Sequence, residues 1–364
     1  MRAFGRIAVF FVISLLPAAT AQKTLSELVE EISQERLETH VQALASPRSE
    51  PDGWAYAQQY IVDELTSYGY DVLLEPVQSF DGYQSNNIIA SLPGTGSSGE
   101  VFIVGAHYDT VEYTLGADDN ASGVAGLLEI ARALRGQKYP SEIQFVAFAL
   151  EEQGALGSQE RASALRRANA KVRGAIALEM IGYTCDSPGC IPSIQLQSIP
   201  FCFCVRDRGA DLSSGDWIGI VANDNSSSLM NTFTRAADNY VPVLKVATGQ
   251  VAENGDCFSD TQRSDHGPFW FADYPAIMVT DTAEFRNPNY HQASDTPDTL
   301  NYTFMRQVTQ AILAATIAHN QGDIAPPSFG CCFFGTSKTE NSAWSIAGVL
   351  LPLALMLIGM RRMC

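Results

Sequence analysis

The sequence predicts an α/β fold, a mostly parallel central sheet with helices on both faces. Three observations carry that expectation. Short apolar runs of strand length, at 101–104, 142–150, 175–178 and 276–280, alternate with longer segments whose apolar residues recur at helical spacing. Strand, helix and strand follow one another through the middle of the chain, the order that builds a largely parallel sheet. Side chains able to do chemistry fall just past the runs, where a parallel sheet gathers its carboxyl ends.

Taken in order, apolar positions at helical spacing predict helix over Leu25–Leu44 and again over Trp54–Tyr68, the latter ended by Gly69. Strands follow at Tyr70–Val77 and Asn87–Leu92, separated by a loop around Asp81-Gly82, and PGTGSSG (93–99) is a surface turn. The central stretch comes next. Val101–Val104 reads as a buried strand, and Val124, Leu127, Leu128, Ala131 and Leu134 mark one helix face that Asn120 or Ser122 can cap. Glu142–Leu150 is a strand running into Glu151-Glu152, Ser158–Ala168 a helix, and Ala175–Leu178 a strand ending at Glu179. Thr184–Gly215, rich in Pro, Gly, Ser and Cys, is an irregular excursion, and Val241–Gly255 is a second variable loop. A strand at Asp216–Val221, a helix at Ser227–Asn239, a strand at Ala276–Thr280, a loop carrying His291 and a closing helix from about Thr303 to Asn320 complete the pattern.

The chain has 364 residues, 46% hydrophobic and 17% charged, so it is globular with ample material for a core. A formal charge of −17 without any basic run argues against nucleic acid or an anionic membrane surface as partner. Residues 1–21 combine Arg2 and Arg6, an apolar stretch from Ile7 to Leu16 and the small residues Ala19-Thr20-Ala21, a signal-peptide pattern with cleavage expected before Gln22. One folded domain, 22–321, follows, then a linker with a Cys/Gly motif, 322–342, and a tail, 343–364. Ala343–Met360 is uncharged for 18 residues and is followed by Arg361-Arg362, which meets the lower limit for a membrane span. The motif, apolar run and basic end together resemble the three-part sorting signals of exported bacterial proteins. The expectation is therefore an exported protein, extracellular, periplasmic or at the cell surface, attached through this tail or cut or lipidated near Cys331 or Cys332.

Five of the eight cysteines, Cys185, Cys190, Cys202, Cys204 and Cys257, fall in the folded domain. In an exported chain they read as disulfides rather than metal thiolates. Cys185 and Cys190 bracket a Pro-Gly turn and form a reasonable local pair. Five is odd, so one thiol has no assigned partner. Cys202-Phe203-Cys204 could be half of a zinc site, but no second pair of matching spacing follows.

Four strand ends or following loops present residues that a core would not tolerate: His107 with Asp109 and Asp119, Glu151-Glu152, Glu179, and His291. Each alone is weak, since a lone His after a strand is usually a hydrogen-bonded surface residue and a Glu-Glu pair a solvated edge. A parallel sheet brings these ends together, and imidazoles with carboxylates suit zinc, including two-metal sites with a shared ligand. Charge counting agrees: two Zn²⁺ ions against Asp119, Glu152 and Glu179, with one hydroxide completing neutrality. Glu151 is then left over as an unliganded base beside water whose pKa a metal lowers, as amide hydrolysis requires.

GAHYDT, GADDNASGVAGLLE, FALEEQGALGS, LEMIGY, SDHGPFW and NYHQASDTPDTLNY resemble the successive motifs of the zinc aminopeptidase family with two co-catalytic metals. That family also includes glutamate carboxypeptidases and glutaminyl cyclases, and the likeness runs from about Leu37 to Asn320. It implies the zinc-peptidase (phosphorylase/hydrolase-like) fold and two Zn²⁺ ions per chain, with His107 and Glu179 on one zinc, Glu152 and His291 on the other, and Asp119 bridging. It implies Glu151 as general base, Asp109 as the carboxylate orienting His107, and Tyr290 as the tyrosine that in some members helps polarise the scissile carbonyl. Departures are Asp118 for the usual Asn, read as a neighbour only; Glu179 where many aminopeptidases carry Asp; and Asn289 and Ser294 where some members have cysteines. Asp265 and His266 match a motif read as structural support rather than ligands.

The expected activity is an exported metallo-aminopeptidase acting on the first peptide bond of peptides with a free N-terminus, the acidic site holding the amine. Alternatives are a single-zinc glutaminyl cyclase, which the full ligand set disfavours, a carboxypeptidase or dipeptidase of the same family, and a receptor-like member without catalysis, against which the intact ligands and base argue.

Overall fold

The structure, a computed structural model, describes residues 22–80, 82–187, 189–191, 200 and 202–323. The signal segment, nearly all of the linker, and the tail with its apolar run lie outside these residues. Among the described residues no helix is long and apolar enough to cross a membrane.

Three helices open the domain: α1 (Leu25–Glu30), α2 (Gln34–Leu44) and α3 (Pro51–Ser67). The single helix expected over 25–44 is broken because Ser33 turns out of helical geometry and its side chain accepts the Arg36 N–H, capping a new helix. Leu37, Val41 and Leu44 then line its buried face. Pro51 starts α3, where its missing N–H costs nothing, and Gly69 takes the left-handed turn beyond its end.

The hairpin of β1 (Val72–Gln78) and β2 (Gln84–Leu92) leads into β3 (Glu100–His107), α4 (Gly123–Leu134), β4 (Glu142–Phe148), α5 (Leu156–Arg167) and β5 (Lys171–Glu179). The second half adds β6 (Phe203–Arg206), β7 (Trp217–Asn223), α6 (Ser227–Tyr240), β8 (Lys245–Val251), the short α7 (Gly267–Phe271), β9 (Ala276–Thr280) and α8 (Tyr302–Asn320). Two strands lie where the sequence predicted loops. β6 sits in the Cys-rich excursion and β8 in the Val241–Gly255 segment; both build the far edge of the sheet, whose short, mixed residues give a poor alternating signal.

The nine strands form one sheet in the order β1-β2-β4-β3-β5-β9-β7-β8-β6. Its centre, β4-β3-β5-β9, is parallel, as expected. Towards the edges the expectation of a mostly parallel sheet needs correction. The β1–β2 hairpin pairs antiparallel with itself and with β4, β7 runs antiparallel beside β9, and β6 does so beside β8. A five-residue turn after β1 can only return the chain antiparallel.

Helices cover both faces unequally. One face packs against α1–α4, α6 and α8 in the main core, where Leu127, Leu128, Phe145, Ile176, Ile220 and Ile312 are wholly buried or nearly so. The other carries a smaller core under α5 and α7, with Ile103, Val146, Phe269 and Trp270. Cys185 pairs with Cys190 as expected, and Cys202 pairs with Cys257, tying the start of β6 to the loop after β8. Cys204 is disulfide-bonded as well, which corrects the expectation of an unassigned thiol.

Candidate metal centre

Parallel register puts the site residues on one edge of the sheet. His107 is the last residue of β3, in register with Phe148 of β4, and Glu179 ends β5 opposite Thr280. Glu151 and Glu152 follow β4 by three and four residues, Asp119 lies at a non-helical kink in the segment Ala117–Ser122 that leads into α4, and His291 lies in the loop before α8. Leu150, Met180 and His291 adopt left-handed backbone geometry, which costs a non-glycine residue about 1 kcal/mol or more. The Leu150 and Met180 side chains are fully buried, so packing holds those two turns beside Glu151 and Glu179.

Two groups that could each hold a metal ion result, His107–Asp119–Glu179 and Asp119–Glu152–His291. The carboxylate of Asp119 divides between them. Its Oδ1 is 3.3 Å from His107 Nε2, and its Oδ2 is 3.2 Å from His291 Nε2. Glu179 Oε2 is 3.5 Å from His107 Nε2, and Glu152 Oε2 is 3.4 Å from His291 Nε2. Both nitrogens of His107, Nε2 of His291 and Oε1 of Glu152 are buried without a hydrogen-bond partner. Atoms spaced like this match the edge, roughly 3.3 Å, of a tetrahedron whose metal–ligand bonds are about 2.0–2.1 Å. The residues therefore fit a cation in each group, with Asp119 common to both.

The electrostatics agree. Burial opposes charge on His107, but Glu179, Asp109 and Asp119 outweigh it and raise its pKa well above the ordinary imidazole value. Burial likewise opposes charge on His291, and the carboxylates of Asp119 and Glu152 beside its Nε2 still bring it up to about 10. Burial, then the neighbouring Asp119, pushes Glu152 up to about 7, and burial holds Glu151 well above the usual carboxylate range. Carboxylates crowded in a dry site repel one another, a repulsion that a cation among them would relieve.

Neighbouring groups fix the ligands. Asp109 Oδ1 lies 3.5 Å from His107 Nδ1 and accepts the Glu151 N–H, while its Oδ2 accepts the Glu152 N–H. Asp295 accepts the N–H groups of Asp118 and Asp119 with its two oxygens, at 2.8 and 3.1 Å. Ser264 donates to Glu179 Oε2 at 2.6 Å. Asn120 accepts the first N–H of α4 and also bonds Leu178 and Met180 across the end of β5. Ser122 binds Asp118 and Ile181 rather than capping. Arg48 lies fully buried, its guanidinium donating to the carbonyls of Tyr108, Leu44, Ser46, Leu115 and Gly116.

Asp118 turns away from both groups. Its carboxylate accepts from Gly182 N–H and from Asn287 Nδ2, making it a buried knot between three loops. His266 is buried too, bonded through Nε2 to the Thr261 carbonyl and edge-on to Trp270; Asp265 beside it is equally buried, and neither joins a ligand group. Tyr290 stacks on His291, ring centroids 3.7 Å apart. A cavity of about 1210 Å³ opens over the site on the face of α5; Asp119, Glu151, Glu152, Glu179 and Tyr290 line one end, and Phe203, Trp217 and Phe258 the apolar remainder.

Sequence reasoning passed over Asp295, Ser264, Arg48 and Arg263. Asp295 lies inside the NYHQASDTPDTLNY motif, Ser264 opens SDHGPFW and Arg263 directly precedes it, so position could have flagged them; an isolated arginine such as Arg48 carries no signal.

Residues 87–316 match peptidase family M28. The chain is 35% identical over 308 residues to the uncharacterized protein YfbL of Escherichia coli strain K12, covering 79% of this chain and 88% of the relative. It is 27% identical over 276 residues to leucine aminopeptidase 1 of Arthroderma otae, covering 71% of this chain and 64% of that one. Among solved structures, the LapA aminopeptidase of Legionella pneumophila superposes with a TM-score of 0.64 at 20% identity, covering 82% of this chain and 74% of that one. The fold is shared with a solved aminopeptidase, and the matching family is one of peptidases. The chain belongs to peptidase family M28.

Proposed function

We propose that this chain is an exported aminopeptidase that binds two zinc ions and removes the N-terminal residue of peptides with a free amine. The observation that supports it best is the division of Asp119 between two otherwise complete ligand groups, with Glu151 at the same cavity end. His107 and Glu179 would hold one zinc, Glu152 and His291 the other, and Asp119 both. Zinc there supplies Lewis-acid polarisation of a carbonyl and a water of lowered pKa. Glu151 takes the proton of the attacking water and passes it to the leaving amine; Asp109 holds the Glu151–Glu152 backbone and the His107 ring in register. Cys185–Cys190 and Cys202–Cys257 favour an oxidising compartment and so export.

Recognition of an amine rather than a carboxylate is favoured by the cavity's arginines. Arg166 is paired with Asp273, Arg167 with Glu160 and Arg263 with Glu284, so among the described residues each guanidinium lining the cavity is already engaged by a carboxylate. A carboxypeptidase needs a free one for the substrate's C-terminus. The test compares aminoacyl-anilides with their N-acetylated forms while counting zinc per chain. Turnover of the free amines alone, with two zinc ions, is the expected result. Equal turnover of both forms, or one zinc with cyclisation of an N-terminal glutamine, would overturn it.

A further inference from the structure

Arg263 is the arginine closest in function to the ligand groups, because it touches the residue stacked on one of them. Its Nη2 donates to the Tyr290 hydroxyl oxygen at 2.9 Å, and its Nη1 forms an ion pair with Glu284. The planar guanidinium is thus held at both tips of its fork, a geometry that a lysine cannot reproduce. Tyr290 is fixed on its other side by His291, whose ring lies 3.7 Å away at an interplanar angle of 21°. Among the described residues, the hydroxyl of Tyr290 has Arg263 as its one hydrogen-bond partner, and Arg263 can only donate. The phenol oxygen therefore accepts, and its own hydrogen is left over. Tyr290 lines the cavity with Glu151, Glu152 and Glu179, so that hydrogen is available to a substrate atom.

We infer that Arg263 is a positioning residue that fixes the direction of the Tyr290 O–H, so that the phenol donates to the substrate's carbonyl oxygen as negative charge develops there. Glu284 is the anchor that keeps Arg263 in place. No proton changes owner in this role; the Tyr290 O–H bond stays intact and one hydrogen bond strengthens as the carbonyl carbon becomes tetrahedral. A donor preorganised in this way acts on kcat more than on KM, since the interaction is weak in the ground state. Without Arg263 the hydroxyl is free to rotate and to accept instead of donate. The inference rests on the aminopeptidase reading.

The test is a double-mutant cycle on the full zinc-loaded enzyme with an aminoacyl-anilide, reading kcat, KM, zinc content and affinity for a phosphinic dipeptide analogue whose tetrahedral oxygens mimic the reacting carbonyl. Tyr290→Phe should lower kcat on the order of 10²-fold, the usual cost of one oxyanion donor. Arg263→Met should lower it about 10-fold or more with KM and zinc nearly unchanged, and should add little in the Tyr290→Phe background. Arg263→Lys and Glu284→Gln should fall between Arg263→Met and the parent. Affinity for the phosphinic analogue should drop in step with kcat, while affinity for the free amino acid product stays level. If Arg263→Met cost the same factor with and without Tyr290, or acted through loss of zinc, the inference would be wrong while the aminopeptidase reading stood. An inactive parent enzyme would remove both.

Discussion

Asp109 Oδ1 stands 3.5 Å from His107 Nδ1 and, with the same oxygen, accepts the backbone N–H of Glu151 at 3.0 Å. One side chain thus sets the distance between the end of β3 and the loop after β4, on which the proposed base and a proposed ligand are adjacent. Asp109→Asn keeps the shape but puts an amide N–H₂, which can only donate, either at Oδ1 or at Oδ2, which accepts the Glu152 N–H. Zinc affinity should fall by about 10–100-fold, the usual effect of losing a ligand's partner, and isothermal titration with zinc measures it. Unchanged affinity would mean that Asp109 only braces the backbone.

Glu151 and Glu152 are adjacent yet are proposed to do different work. Glu151→Gln cannot take a proton, and should lower kcat by about 10²–10⁴-fold with zinc content and melting temperature nearly unchanged. Glu152→Gln replaces a carboxylate ligand by a neutral amide, so loss of metal should accompany its loss of activity. Zinc, melting temperature and turnover measured on both variants decide the matter; zinc lost from the first and kept by the second would reverse the roles.

Arg48 is buried with its guanidinium spent on backbone carbonyls, and burial brings its pKa down to about 10 even though Asp119, Asp109 and Asp295 favour its charge. Arg48→Met leaves those carbonyls unpaired. It should destabilise the fold by roughly 2–4 kcal/mol, seen as a lower urea midpoint, and loosen the turn that carries Asp119. A variant as stable as the parent would show that water replaces the guanidinium.

His319 predicts a pH dependence far from the metal site. Burial, with a smaller effect from the Arg173 charge, brings its pKa down from 6.5 to about 4, although its hydrogen bond to the Arg173 carbonyl works the other way. The folded state keeps the ring neutral where the unfolded chain protonates it. Its contribution is therefore intact above pH 6.5 and is lost as pH falls towards 4, amounting to ~2 kcal/mol near pH 5. Unfolding free energies at pH 7 and pH 5, compared with His319→Gln, should show a shallower loss in the variant. Parallel slopes would place the pH dependence elsewhere, on His40 or His266, which are lowered to about 4 by the same cause.

How legible the molecule was depended on the kind of signal. Continuous apolar runs made the central strands readable, and His107, Glu152, Glu179 and His291 were readable because they interrupt such runs or follow them. The edges were harder to read. Val205 and Arg206 of β6 show no alternation, and β8 begins with a lysine and contains Gly249, so neither segment carries a strand pattern. Supporting residues were least visible, since a serine such as Ser264 or an arginine such as Arg48 acquires its partners only when distant loops meet.

Asp295 reaches back across more than 170 positions to hold the N–H groups of Asp118 and Asp119, and His291 completes the second ligand group from the same loop. During synthesis, then, the turn bearing Asp119 cannot be locked, nor the second candidate group closed, until residues 291–295 have been made. A shorter nascent chain lacks those groups, so under the proposed function the order of the residues itself delays the appearance of activity.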